Sequence, residues 1–219
     1  MTALRILVAC EESGTMRRAF AALGHDAWSC DLRPAADGSN RHIRGDVLDH
    51  LHDGWDLMIS HPPCTVLCNS GVKHLYIGGR KENGLHLPRW DDLDAAARFY
   101  CALRDATHIP RRAIENPVMS GHAIKATRRG YTQFVQPWWF GDPYFKATGF
   151  ELINLPPLIA TNKLTPPKPG TEAHKEWSMI HRASPGPDRA RLRSKTFDGI
   201  AHAAALQWGG YANEDMKHD

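Results

Sequence analysis

The sequence predicts an α/β protein built on a doubly wound, mostly parallel sheet. Two observations support this. Short apolar runs such as residues 6–10 and 55–61 recur along the first half of the chain, and segments of helical period such as 13–24 separate them. Strands that alternate with helices are typical of parallel sheets, because parallel neighbours need a long crossover connection. The length of 219 residues fits one domain, residues 1–219.

The first elements form a strand–helix–strand unit. Residues 6–10 (ILVAC) are an unbroken apolar run, as expected of a buried strand. Residues 13–24 place apolar side chains at helical spacing and end at a glycine, which is a typical helix stop. Residues 25–31 alternate in the manner of a strand, and a short extended piece ends at Asp46.

The later elements continue the alternation. Residues 55–61 (WDLMISH) and 111–117 (RRAIENP) are predicted strands, the second of them stopped by its proline. Between them, residues 91–108 form the clearest amphipathic helix, with an aspartate at the first or second position as its N-cap. A final Ala-rich helix is predicted over 194–210.

Two segments lack a period. Residues 71–89 are rich in glycine and basic residues and are predicted to form a long loop, which in compact domains is usually functional or disordered. Residues 154–190 hold many prolines and are expected to wrap over the surface. No apolar run approaches the roughly 18 residues of a membrane span, and the N-terminal apolar stretch is too short for a secretory signal. A cytoplasmic protein is therefore expected.

The cysteines exclude two kinds of site by their number and spacing. Five of them, an odd number, are scattered over the chain, which is not a disulfide framework. Cys64 and Cys68 lack a second close pair, so their spacing predicts no zinc or other metal site. Basic residues outnumber acidic ones within 107–133 and within 163–195. Such clusters attract phosphate, although solvated surface explains them equally well.

Acidic residues at predicted strand ends indicate a nucleoside cofactor. The strand 6–10 runs into EESG, where Gly14 permits close backbone approach and a helix N-terminus favours an anion. About twenty residues on, Asp31 ends a strand at the place where dinucleotide folds hydrogen-bond a ribose diol. Asp46 could accept from an exocyclic amine. Each acid alone could equally be a helix cap, but their order and spacing together favour the cofactor.

The segment SHPPCTVLCNSG follows an apolar strand and places a cysteine after two prolines. The prolines stiffen the turn, and a thiolate is a strong nucleophile, so Cys64 is a candidate nucleophile. A buried structural thiol is the competing interpretation, and it is the expected one for Cys68. Glu115, which ends the strand in AIENPVM, could hold the amino and ring-nitrogen edge of cytosine; otherwise it is an N-cap or a surface acid.

Taken together, these pieces resemble a compact DNA (cytosine-5)-methyltransferase of the short type carried by phages and prophages. They occur in the order of that family. The matching pieces are Glu12, Ser13 and Gly14 (first, methionine-binding motif), Asp31 and Asp46 (ribose- and adenine-binding acids), Pro62, Pro63 and Cys64 (Pro-Cys motif), Glu115 and Asn116 (Glu-Asn motif), and residues 191–205 with Ser194 (closing motif). Only the Pro-Cys and Glu-Asn pieces are specific.

The chain also departs from the family pattern. The first motif lacks the Phe-x-Gly-x-Gly form, Thr65 replaces the common Gln, and Pro117 replaces the Val of Glu-Asn-Val. No Gln-x-Arg-x-Arg motif is present, and Lys146 is the nearest basic candidate. The family's large target-recognition region is reduced here to the Pro-rich residues 154–190, which puts sequence specificity rather than chemistry in question.

The resemblance implies a Rossmann-like S-adenosylmethionine-dependent methyltransferase fold and methylation of cytosine C5 in DNA. In that family the cysteine adds to C6 of the base, so Cys64 would be the nucleophile and Glu115 would hydrogen-bond the base, with Pro63 and Asn116 beside them. S-adenosylmethionine would be the cofactor, DNA the partner, and the cytoplasm of a bacterium or a phage-infected host the location. The basic candidates for DNA contact are Lys73, Arg80, Lys81, Arg128, Arg129 and Lys146.

Three alternatives stay open at this point. A relative could modify C5 of a pyrimidine in a nucleotide or in RNA, or could use a modified cofactor. The chain could also be a non-catalytic module that binds nucleic acid or S-adenosylmethionine, although such a module needs neither Cys64 nor Glu115. Amino-methylation of adenine is disfavoured, because a thiol stands where those enzymes place an aromatic ring after the two prolines.

Overall fold

The computed structural model describes residues 2–130, 132–182 and 196–215. The strands are β1 (Arg5–Ala9), β2 (Asp26–Asp31), β3 (His42–Arg44), β4 (Leu57–Ser60), β5 (Arg111–Asn116), β6 (Thr132–Val135) and β7 (Thr148–Ile153). The helices are α1 (Thr15–Ala21), α2 (Leu87–Arg104), α3 (Gly121–Thr127), α4 (Glu172–Trp177), α5 (Met179–Arg182) and α6 (Asp198–Asp215). Several one-turn 3₁₀ segments lie between them, most of them within residues 69–83.

Within the described residues, all seven strands form one sheet in the order β3-β2-β1-β4-β5-β7-β6. The first five pair in parallel, and β7 runs antiparallel to both of its neighbours. The chain starts at β1, builds outward to β3, and then returns to the other side of β1. The strand order therefore reverses between β1 and β4, and ligands of open α/β sheets bind at such a reversal, beyond the carboxyl ends of the strands.

Helices cover both faces of the sheet. On one face, α1 and α6 pack against Val8 and Ile59 of the sheet. The two helices contribute the fully buried side chains of Phe20 and Trp208 to this part of the core. On the other face, α2 packs over Leu7 and Met58, and a smaller cluster ties α3 to the end of β5. Burial on both faces explains why the central strands are continuous apolar runs rather than alternating ones.

The predicted doubly wound, mostly parallel α/β fold is confirmed, and most of its elements lie within a few residues of their predicted positions. One boundary was wrong: α2 begins at Leu87, so Asp91 and Asp92 lie inside the helix instead of capping it. Pro88 accounts for the earlier start, because the first turn of a helix has no partner for the N–H that proline lacks. Residues 194 and 195 of the predicted last helix lie outside the described residues.

The described part of the Pro-rich stretch, residues 154–182, is held against the domain at its start. The side chain of Gln133 exchanges hydrogen bonds of 2.8 and 2.7 Å with the backbone of Leu158. The side chain of Gln207 does the same with Ile159, at 2.7 and 2.8 Å. The first residues of this Pro-rich stretch therefore pack against β6 and α6. In the part of the chain that the structure describes, no helix is long and apolar enough to cross a membrane.

Candidate active site

The turn between β1 and α1 is built around a buried glutamate. Glu11 is 4% exposed, and its carboxyl oxygens accept the N–H groups of Met16 at 2.7 Å and Arg17 at 3.2 Å. These are free N–H groups of the first helical turn, so Glu11 supplies the cap. Gly14 directly precedes α1 with φ of 67°, a left-handed conformation that glycine adopts without strain.

The candidate cofactor residues lie beside this turn. Glu12 pairs with Arg33 Nε at 2.8 Å, and Asp31 accepts the backbone N–H of Arg33 at 2.9 Å. Asp46 is exposed and caps a 3₁₀ turn by accepting the N–H of Leu48 at 3.0 Å. The structure thus brings Glu12, Asp31 and Asp46 to one edge of the sheet and also shows the capping role for Asp46.

The electrostatics of Cys10 indicate how close the two aspartates come. Burial, together with the charges of Asp31, Cys30 and Asp46, raises the pKa of Cys10 to about 12. Both carboxylates therefore act on the end of β1. Cys10 has φ of 59°, which is an uncommon conformation for a residue with a Cβ and turns the chain sharply before Glu11. Such conformations recur at functional sites.

The Pro-Pro-Cys segment follows β4 directly. Pro62 is buried and Pro63 is exposed. Cys64 begins a tight turn, in which its own carbonyl accepts the N–H groups of Leu67 at 3.1 Å and Cys68 at 3.0 Å. Cys64 is half-buried. The prolines fix the backbone before the turn, so the thiol has a defined place at the carboxyl edge of the sheet.

Cys64 and Cys68 form a hydrogen-bonded thiol pair. The hydrogen bond to Cys68, burial and the charge of Glu115 raise the pKa of Cys64. The hydrogen bond from Cys64 lowers the pKa of Cys68 to about 5 against the effect of burial, with the Ser70 hydroxyl, 3.0 Å away, adding to it. The hydrogen bond therefore shifts the two pKa values in opposite directions.

Glu115 lies next to Cys64, because β4 and β5 are parallel neighbours and Ser60 pairs with Ile114. Nδ1 of His61 lies 3.4 Å from Oε2 of Glu115. Burial would raise the pKa of Glu115, but the hydrogen bond with His61 and the charge of Lys146 outweigh it, so the pKa is lowered. Glu115 is therefore an ionised carboxylate at neutral pH, held between an imidazole and an ammonium group.

A small pocket opens over this carboxylate. His61, Glu115, Lys146 and the first residues of β7 line one side of it, and Phe197 and Ile200 at the start of α6 line the other. Its volume is about 10 Å³, which is room for about one water molecule. The charge of Lys146 also acts on Cys64, where it favours the thiolate. Two charged groups that line the cavity, Glu115 and Lys146, thus both act on the thiol.

Two further polar side chains at the ends of β4 and β5 are deeply buried. Ser60 is 0% and Asn116 is 1% exposed. Across residues 2–130, 132–182 and 196–215, neither the Ser60 hydroxyl nor the Asn116 side-chain amide has a hydrogen-bond partner. Unpaired buried polar groups cost free energy and are uncommon away from sites that take a water or a ligand.

The basic residues predicted to contact nucleic acid fall into three places. Lys73, Arg80 and Lys81 are exposed on the loop that follows the Cys64–Cys68 turn. Arg128 and Arg129 precede β6, which runs parallel to β5, so the structure does not bring them to the edge where Glu115 lies. Lys146 lines the pocket. Ser194 lies outside the described residues.

Sequence reasoning missed two residues of this region, Glu11 and His61. Helix caps are usually short side chains, so a glutamate four residues before α1 carried no signal. His61 directly follows β4 and shares the carboxyl edge with Cys64. A histidine at the end of a predicted parallel strand could have been read as a site residue, but its partner Glu115 is 54 positions away in sequence.

No protein-family model matches this chain, and no significant match exists among curated proteins. Among the solved structures that are similar to this chain are two methyltransferases. The first is described as a DNA modification methyltransferase encoded within a prophage of E. coli, with 15% identity and a TM-score of 0.48, covering 75% of this chain and 52% of that one. The second is Entamoeba histolytica methyltransferase EhMeth, with 13% identity and a TM-score of 0.49, covering 75% and 58%. The similar part thus spans little more than half of either protein. Similarity at this level does not bear on substrate or chemistry.

Proposed function

We propose that this chain is an S-adenosylmethionine-dependent DNA methyltransferase that methylates C5 of cytosine through a covalent bond to Cys64. The observation that supports it most is the placement of Cys64 and Glu115. They follow adjacent strands, and they lie close enough that the charge of Glu115 raises the pKa of Cys64. A nucleophile beside a carboxylate at one pocket can act on two edges of a single ring.

The proposed chemistry uses these two groups in turn. C5 of cytosine is a poor nucleophile, and addition of the Cys64 thiolate to C6 converts the ring into an enamine whose C5 is reactive. Glu115 accepts from the N4 amine and stabilises the charge that develops around N3. Lys146 favours the thiolate of Cys64, and Pro62 and Pro63 keep the sulfur in place. Cys64 must lose its proton before it can attack.

The cofactor is proposed to lie beyond the reversal of strand order between β1 and β4. The fit rests on Asp31, an acceptor for a ribose diol at the end of β2. A Cβ at Gly14 would meet the side chains of Arg17 and Asp37, so packing within the chain explains this glycine. Glu12, Ser13, Asp46 and Pro62 complete the proposed set, and Ser194 belongs to it by resemblance alone. When bound there, S-adenosylmethionine would supply an electrophilic methyl group.

DNA is proposed as the substrate, because the exposed Lys73, Arg80 and Lys81 flank the loop nearest to the site. Contacts of this kind go to phosphates and position the duplex without reading its sequence. The pocket lies within the carboxyl edge of the sheet, so a paired base would have to leave the helix. That costs a few kcal/mol in a duplex.

The test is product identification. The protein is incubated with S-adenosylmethionine carrying a labelled methyl group and with duplex DNA, and the digested nucleosides are identified by mass spectrometry. Labelled 5-methyldeoxycytidine supports the proposal. N-methylated adenine or cytosine contradicts the chemistry, label found only in RNA or free nucleotides contradicts the substrate, and binding without transfer favours a non-catalytic module.

A further inference from the structure

The pocket contains a titratable side chain to which the proposed chemistry gives no role, His61. It lines the pocket beside Glu115, and its side chain is 11% exposed. Its backbone N–H donates to the carbonyl of Ala9 at 2.9 Å, so the residue continues the ladder between β1 and β4 and is firmly positioned. It also lies three residues before Cys64, at the same edge of the sheet.

The contact with Glu115 fixes which nitrogen of His61 carries a proton. An ionised carboxylate can only accept hydrogen bonds, so Nδ1, 3.4 Å from Oε2, must be the donor. In the neutral ring, Nε2 then presents a lone pair. Within the described parts of the chain, Nε2 is buried and has no hydrogen-bond partner. An imidazole oriented by a carboxylate, with its far nitrogen without a partner in the described residues, is the arrangement of a general base.

We propose that His61 is the base that removes the C5 proton of the target cytosine, an inference that rests on the proposed function. After methyl transfer, C5 bears both a hydrogen and a methyl group, and C6 is bonded to Sγ of Cys64. Nε2 takes the C5 proton, the electron pair of that C–H bond forms the C5=C6 double bond, and the C6–S pair leaves with Sγ as thiolate. The resulting imidazolium is paired with Glu115 and later loses its proton to water.

The surroundings of His61 suit this role. Glu115 faces it from β5 and Lys146 from the segment before β7, whereas Phe197, just before α6, and Ile200 of α6 are apolar. A general base acts only in its unprotonated form, so the elimination step should slow at low pH.

The discriminating variant is His61→Asn. Asparagine can place an amide N–H near the position of Nδ1 and keep the contact with Glu115, but it has no base at the position of Nε2. The matched control is His52→Asn, because His52 is exposed, lies in the segment before β4 at the opposite edge, and stacks on His108. Cofactor affinity and thermal unfolding are measured for both variants.

The readout separates attack from elimination. We expect His61→Asn to form the covalent protein–DNA complex, seen as a shifted band on a denaturing gel, but to turn over about 100-fold or more slowly than the wild type. The acidic limb of the kcat–pH profile should be lost in this variant and retained in His52→Asn. If His61→Asn does not bind the cofactor or fold, the same measurements are made on His61→Gln.

Three outcomes overturn the assignment. Turnover within a few-fold of the wild type shows that another base acts. Absence of both complex and turnover, with cofactor affinity intact, places His61 before the attack of Cys64. An unchanged acidic limb shows that the titrating group is not His61. If the wild type itself yields no 5-methyldeoxycytidine, the proposed function fails and the inference fails with it. An active wild type with an equally active His61→Asn variant contradicts the inference alone.

Discussion

Cys68 lies one turn after Cys64, and the hydrogen bond between the two thiols shifts their pKa values in opposite directions. The pairing matters for the nucleophile, because the hydrogen bond raises the pKa of Cys64. The Ser70 hydroxyl, 3.0 Å from the sulfur of Cys68, adds to the lowering of the pKa of Cys68. Cys68 was predicted to be a packing residue, and it is buried, but its sulfur also has this polar partner.

The thiol pair leads to a prediction for two variants. Cys64→Ser should abolish product formation and leave cofactor affinity unchanged. Cys68→Ser should retain most activity at neutral pH, because the hydrogen bond with Cys68 is the largest cause that raises the pKa of Cys64, and its loss favours the thiolate. Single-turnover rates between pH 6 and 9 measure both variants. Equal loss of activity in the two variants would contradict the assignment of Cys64 alone as the nucleophile.

Asp31 gives a prediction about the cofactor. Replacing it with alanine removes a charged acceptor at the end of β2, and a hydrogen bond to a charged group contributes about 1.5–3 kcal/mol. We expect Asp31→Ala to weaken S-adenosylmethionine binding by that amount in titration calorimetry. Asp49→Ala is the control, because Asp49 is exposed in the 3₁₀ turn that follows Asp46. Equal affinity of Asp31→Ala and wild type would place the cofactor elsewhere.

At the scale of elements, α1 depends on a residue that lies outside it. A seven-residue helix cannot be stable on its own propensity, and α1 has no side-chain cap from the residue before it. Glu11 provides that cap from the preceding turn and occupies N–H groups that an anionic ligand would otherwise bind. A cofactor at this turn must therefore be recognised mainly by side chains and by the backbone at Gly14.

The cap can be tested through stability. Glu11→Ala leaves the N–H groups of Met16 and Arg17 without their acceptor in a buried turn, and we expect a loss of about 2 kcal/mol in the free energy of unfolding. Urea denaturation of Glu12→Ala is the control, because the partner of Glu12, Arg33, is 64% exposed and such pairs contribute about 0–1 kcal/mol. Equal losses in the two variants would contradict the capping role.

The predictability of the elements follows from their packing. β1 and β4 are covered on both faces, so they are apolar runs that the sequence displays directly, whereas β5 (RRAIEN) is buried but mostly polar. β6 and β7 went unpredicted, because TQFV is short and β7 begins with Thr-Gly, and both become strands only by pairing antiparallel beside β5. Local propensity is weaker than tertiary pairing in such segments. The same holds for the site. The sequence was enough to find the residues at the ends of the apolar strands, but the contact between His61 and Glu115 could be predicted only with the order of the strands in the sheet.

At the scale of the whole molecule, the strand order alone assembles the site. Residues after β1, β2, β4 and β5 come from positions 10 to 116 and meet at one edge. The described part of the chain after β7 then contributes α6, whose first residues close the pocket. The residues just after β7 pack on β6 and α6 through Gln133, Gln207 and Trp208, so this portion faces the domain rather than a duplex.

This packing leads to the last prediction, which concerns specificity. Recognition of a DNA sequence requires side chains that contact the edges of the bases. Each good bidentate pair of hydrogen bonds contributes about 1–3 kcal/mol of discrimination against the wrong base. Residues 154–159 are fixed to the domain, and the rest of the Pro-rich stretch, 160–190, is short for a region that reads bases, while Lys73, Arg80 and Lys81 can still bind phosphates. We expect a short or relaxed target of about one to three bases. We also expect DNA binding to weaken as the salt concentration rises. In a plot of the logarithm of the binding constant against the logarithm of the salt concentration, changing any one of these three residues to alanine should reduce the steepness of the slope by about 0.9. Bisulfite sequencing of treated plasmid measures the first expectation and binding at several salt concentrations the second. Modification confined to one site of four or more base pairs would show that the loop 71–89 or the Pro-rich stretch reads bases after all.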